Sequence, residues 1–215
     1  MELGFSIGWG GSRVGAGRKG TGKVQHRARP WLSKNTPVHV SVHVIPGLPS
    51  LRRDEECLTL MGVFEKCCER DGFRLVHYSV QHSHLHLLVE ARDRQSFTQG
   101  MRALLIRMSR ALNRLWNRRG QVVAERYHEH VLRVPKEARN VLAYVLNNAR
   151  RHGIRVEKGR PDTRSSGRFF EGWRDFAAVH IPGLSLPIAQ ARSWLLTVGW
   201  LRHGRIPVDL VPGDD

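Results

Sequence analysis

From Pro37 the chain alternates, with Val38, Val40, Val42 and Val44 separated by His39, Ser41, His43 and Ile45. A period of two is that of a strand with one buried face, and Pro46-Gly47 and Pro49 end it. Over 51–70 the apolar residues Leu51, Leu58, Met61, Val63, Phe64 and Cys67 fall among charges in a helical pattern, closed by Asp71-Gly72. Two more strands are predicted over 74–80 and 84–91, joined by a polar turn at 81–83. A long amphipathic helix follows over 95–118, with Leu104, Met108, Ala111 and Leu115 on one stripe and Gly120 to stop it. Val122-Val123 and Val131-Leu132 read as one interrupted strand region. A last helix runs from Pro135, in its first turn, to His152, with Gly153 at its end.

The order β-α-β-β-α-β-α is the split βαβ of an α+β, ferredoxin-like fold with one extra C-terminal helix. Its antiparallel sheet is expected to carry helices on one face and leave the other free to bind. Outside this pattern, residues 1–36 read as a Gly-rich basic arm, with eight glycines in the first 22 positions. Such a segment buries too little to offset its ordering entropy, so a solvated tail is favoured over an arm laid on DNA. The domain is expected over 37–153. Residues 154–215 are expected to form an irregular tail whose aromatics, from Phe169 to Trp200, pack back on it.

Charge narrows the function. Lys and Arg number 35 against 19 Asp and Glu in 215 residues, a net charge of +16. A polyanionic partner is implied, and nucleic acid is the commonest one. No apolar run approaches a membrane span, and no hydrophobic N-terminal segment suggests secretion, so a cytoplasmic protein is expected. Three cysteines, two of them the adjacent Cys67 and Cys68, offer neither a disulfide framework nor a zinc pair.

Candidate chemistry sits in two places. In the run His82-Ser83-His84-Leu85-His86-Leu87-Leu88-Val89-Glu90, strand alternation points His84, His86 and Glu90 one way and Leu85, Leu87 and Val89 the other. Two imidazoles on one face beside an apolar back favour a pair of metal ligands over structural histidines. On the last helix Tyr144 and Asn148 share a face at i,i+4. By itself that tyrosine would read as buried and hydrogen-bonded. A third feature is charge: 95–124 holds no acid, while Arg107, Arg110, Arg114 and Arg118 line one helix face. A solvated face normally mixes signs, so a phosphate-binding stripe is favoured, with Arg126, Arg150 and Arg151 extending it.

Together the segments resemble the single-tyrosine HUH transposases of bacterial insertion sequences and their REP-associated relatives. His84, His86, Leu87, Leu88 and Val89 match the family's histidine strand. Tyr144, Val145, Asn148 and Gly153 match its last helix, and Arg126-Tyr127-His128 matches the segment before that helix. Ser83 and Ala149 depart from the usual Asn and Pro, and neither change removes a reacting group. The resemblance implies a single-stranded DNA transposase or endonuclease in which Tyr144 is the nucleophile of a 5′-phosphotyrosine intermediate. It further implies that His84, His86 and Asn148 hold a divalent cation, Mg²⁺ or Mn²⁺. Hairpin-forming single-stranded DNA is the expected partner, with a homodimer left open. Two alternatives remain at this point: a replication-initiator or relaxase-type nuclease, and a domesticated DNA-binding protein that no longer cuts.

Overall fold

The structure is a computed structural model and describes residue 32, residues 36–179 and residues 185–213. All but two positions of the expected N-terminal arm therefore lie outside the described residues. The sheet contains β1 (Thr36–His43), β2 (Glu69–Arg70), β3 (Phe73–Val80), β4 (His84–Ala91) and β5 (His128–Val131) in the order β2-β3-β4-β1-β5. Every pair is antiparallel. With α1 (Asp54–Cys67) and α2 (Arg94–Leu115) on one face and α3 (Pro135–Leu146) carrying Tyr144, this is the α+β split βαβ arrangement.

The alternation in β1 and β4 has the expected consequence. Val38, Val40, Val42, Leu85, Leu87 and Val89 all point into one core with Phe64, Met101, Leu104 and Met108 of the two helices. The acids Asp54, Glu55 and Glu56 occupy the first turn of α1, where the helix dipole favours negative charge. Asp93 caps α2 by accepting from the Ser96 N–H at 2.7 Å. Gly100 has no side chain because Phe73 packs there; a Cβ would lie 2.2 Å from the Phe73 ring. Two positions differ from the helical pattern: Leu58 is exposed, and Leu112 rather than Leu115 continues the buried stripe of α2.

The opposite face is covered, which corrects the expectation that it is free. A second core there joins Val76 and Leu88 of the sheet to Leu132, Ala138, Leu142 and Leu146 and to Trp173, Trp200 and Ile206. On this side the sheet sets only Val76 and Leu88 among polar residues such as His39, Ser79, His86 and Glu90, so no continuous apolar face marked it for burial. A register shift between Leu75 and His77 disturbs β3. C-terminal backbone lines that strand: Ala189 N–H donates to the Leu75 carbonyl at 2.8 Å and Val80 N–H to that of Arg164 at 2.9 Å. Glu90, expected on an open face beside the histidines, is fully buried. Its two carboxylate oxygens accept from the backbone N–H of Arg192 and of Ser193 at 2.8 and 2.9 Å. That pairing holds the start of α5 (Trp194–Thr197) to β4.

The last helix is also not continuous. It breaks at Asn147 (φ −107°, ψ 15°), whose side-chain amide donates to the Pro207 carbonyl at 3.3 Å, and resumes as α4 (Asn148–Arg151). Gly153, at φ +67°, then ends it with two reverse bonds, Gly153 N–H to the Arg150 carbonyl and Ile154 N–H to that of Ala149.

Candidate active site

The covered face leaves a polar end. In the β1–β4 register Ser41 lies opposite His86 and His43 opposite His84, so β1 and β4 present their polar residues together. The ring centroids of His84 and His86 are 4.9 Å apart, and His39 lies 5.2 Å from His86. α3 brings Tyr144 over this group, its ring 5.0 Å from His86 and 5.7 Å from His39. The Arg151 guanidinium sits 5.6 Å from the Tyr144 ring centre. Beyond α4, His152 packs edge-on against His84 at 5.5 Å.

His86 is 5% exposed and held from one side. Its Nδ1 lies 3.1 Å from His39 Nε2 and 3.1 Å from Ser41 Oγ. Its Nε2 is buried without a partner. A proton on Nδ1, donated to His39 or Ser41, leaves the Nε2 lone pair facing the site, the tautomer a metal ligand requires. Burial, reinforced by neighbouring imidazoles, lowers His84 to about 4 and His86 to about 2. Both rings are therefore neutral at physiological pH and fit for ligation. Asn148 is fully buried with its side-chain oxygen and nitrogen both unpartnered. A buried amide left so costs about 1–3 kcal/mol per group, so the carbonyl oxygen suits a cation and the NH₂ an acceptor.

Among the described residues, the group able to hold a metal is His84, His86 and His152, with one ligand atom from each lying within 4.8 Å of the others. His84 and His86 are thus together as expected, and His152 is an addition that the sequence reading missed. Its only signal was a histidine at the end of the last helix, just before Gly153. His39 and Ser41 were also missed, because only the β1–β4 register puts them against His86.

The three tyrosines separate cleanly. Tyr78 packs on Phe64 in the first core, 4.8 Å between rings, and burial raises its pKa. Tyr127 packs on Phe97, also against the first core. Only Tyr144 stands on the histidine face.

Residues 51–148 match the model of the IS200-like transposases. A solved structure of a REP-associated tyrosine transposase bound to a REP hairpin is 17% identical, covering 66% of this chain and 82% of that one with a TM-score of 0.53. That likeness supports the fold. A transposase candidate from Deinococcus radiodurans R1 is 18% identical over 65% of this chain and 99% of that one, with a TM-score of 0.39. No curated protein matches the chain.

The fold places the seven candidate DNA-binding arginines differently. Arg107, Arg110 and Arg114 lie on α2, packed on the sheet face opposite the histidines, whereas the helix ends at Leu115 and leaves Arg118 just beyond it. Arg107, Arg110 and Arg114 are exposed, Arg107 also donating to Cys67 Sγ, and the half-buried Arg118 donates to the Gln121 carbonyl. Arg126 is exposed ahead of β5. Arg150 is committed to the fold, pairing with Asp209 at 2.7 Å and donating to the carbonyls of Glu157, Arg160 and Val208. Arg151 anchors one nitrogen on the Pro212 carbonyl at 2.8 Å, beside Tyr144. Among the described residues no helix is long and apolar enough to cross a membrane.

Proposed function

We propose that this chain cuts and rejoins single-stranded DNA with Tyr144 as the nucleophile. The observation that carries the reading is that Tyr144 alone of the three tyrosines faces the histidines. No described residue hydrogen-bonds its hydroxyl, so nothing in the fold claims that oxygen. Attack by the phenolic oxygen on a phosphodiester forms a Tyr–O–P bond as the P–O3′ bond breaks. The phenol gives up its proton to solvent and the departing oxygen takes one up, leaving a 5′-phosphotyrosine and a free 3′-OH. The ester keeps the bond energy, so attack by another 3′-OH rejoins DNA without nucleotide hydrolysis.

His84 and His86 would hold a divalent cation, Mg²⁺ or Mn²⁺, with the orphaned carbonyl of Asn148 as a further ligand. Bound there, the cation would supply the Lewis acidity that a phenol needs when it attacks a phosphate anion. Arg151 neutralises charge beside the reacting phosphate. Arg110, Arg114 and Arg126 track the flanking strand, and Arg150 is left to the fold. A hairpin-forming single strand is the proposed substrate, in line with the DNA bound by the REP-associated relative. The test is a metal-dependent, denaturant-stable protein–DNA adduct carrying the 5′ phosphate of the cut. Cleavage without any adduct would make water the nucleophile and replace this reading with an ordinary metal nuclease.

A further inference from the structure

We propose that His152 joins His84 and His86 in a three-imidazole ligand set that takes a first-row transition ion such as Mn²⁺ or Co²⁺ in preference to Mg²⁺. This deepens the proposed function and rests on its reading of the histidine face as a metal site.

The placement of His152 is built into the backbone. It is the last residue before the left-handed Gly153, and its N–H donates to the Asn148 and Ala149 carbonyls, each at 3.2 Å. The turn is thereby locked to the helix that follows Tyr144. No described residue hydrogen-bonds or ion-pairs the His152 ring, which stands edge-on to His84 with both nitrogens uncommitted. Its ligand atom lies within 4.8 Å of those of His84 and His86. Bonds of about 2.1 Å bring ligand nitrogens to roughly 3–4 Å apart, so closure by about 1 Å completes the set. The break at Asn147 permits such an adjustment of α4 without disturbing Tyr144 in α3. The unpartnered Nε2 of His86 is an independent sign that this pocket awaits a lone-pair acceptor.

The donor set decides the ion. Among the described residues no carboxylate joins the group. Glu90, on the same sheet face, spends both oxygens on Arg192 and Ser193, and Glu137 is paired with His130. Three neutral nitrogens and at most the one neutral amide oxygen of Asn148, with Arg151 nearby, offer Mg²⁺ too few oxygen ligands and none of the negative charge it prefers. Imidazole nitrogens favour first-row transition ions over Mg²⁺, Co²⁺ more strongly than Mn²⁺. Mg²⁺ would bind only where a DNA phosphate supplies the missing oxygens.

The experiment titrates the full chain, free of DNA, with Mn²⁺ followed by electron paramagnetic resonance and with Co²⁺ followed by visible absorption. Wild type is expected to bind both ions, with Mg²⁺ displacing Mn²⁺ only at more than about tenfold excess. His152→Ala should weaken both by about tenfold or more, while His43→Ala, an exposed neighbour outside the set, stays within about twofold. Because His152 is exposed, its loss leaves the fold intact, which circular dichroism verifies. If His84→Ala and His86→Ala lose the ion while His152→Ala binds like wild type, the metal site stands and the third ligand falls. If none of the three weakens binding, the reading of the face as a metal site falls with it. Displacement of Mn²⁺ by equimolar Mg²⁺ would overturn the preference.

Discussion

Glu90 looks from the sequence like a third polar group beside His84 and His86, yet the structure gives it a different task that can be measured. Its side chain is fully buried and each oxygen accepts one backbone N–H, from Arg192 and Ser193. Glu90→Gln keeps the shape, but the amide can offer only one acceptor, and its NH₂ must face the other backbone N–H. Hydrogen bonds to a charged group are worth about 1.5–3 kcal/mol each, and a buried donor left unpaired costs about 1–3 kcal/mol. Halving one bond and orphaning one donor therefore amounts to roughly 2–5 kcal/mol, a large share of the 5–15 kcal/mol typical of a domain. The loss should concentrate where the tail meets β4. Amide hydrogen exchange at Arg192 and Ser193 should accelerate by about thirtyfold or more, since each 1.4 kcal/mol is tenfold. Urea unfolding should show a matching loss, and metal affinity should not change. Exchange within about threefold of wild type, or a lost metal site with the tail still docked, would refute the assignment and return Glu90 to the site.

Two further outcomes follow from charge. Replacing Arg110 and Arg114 by Gln should weaken DNA binding equally for all sequences and flatten the slope of log K against log salt by about 1.4, which binding titrations across salt would measure. Acid should destabilise the fold: His39, His77 and His84 are held at about 4 and His86 at about 2, chiefly by burial. An unfolded chain binds those protons near pH 6.5 and the folded one refuses them, so stability is full above that pH and falls as pH drops toward about 4. Denaturant melts across that range check the sign, and constant stability from pH 7 to 4.5 would contradict it.

The strands and helices that build the first core were legible because their periods are clean. Val38, Val40 and Val42 answer Leu85, Leu87 and Val89, and the histidines necessarily emerge on the other side. What sequence concealed depends on partners distant along the chain. Glu90 reads as exposed until Arg192 and Ser193 supply its bonds. Helix 135–152 has no internal breaker, and it kinks at Asn147 because Pro207 offers a carbonyl to that side chain. His39 and Ser41 acquire a role only through the pairing register with His86. His152 lies beyond the kink, so helical spacing from Tyr144 did not foretell its place beside His84. Among the basic residues, charge pattern marked Arg150 and Arg151 alike, while the fold spends one and leaves the other beside the tyrosine.

The most direct test of the central claim compares the three tyrosines. Tyr78→Phe, Tyr127→Phe and Tyr144→Phe are each incubated with end-labelled, hairpin-bearing single-stranded DNA and Mn²⁺, then resolved on a denaturing gel. Tyr144→Phe should keep fold, metal and DNA binding and yield no covalent adduct, because no oxygen remains to attack phosphorus. The other two variants should still form it. An adduct persisting in Tyr144→Phe, or vanishing only in Tyr127→Phe, would contradict the account.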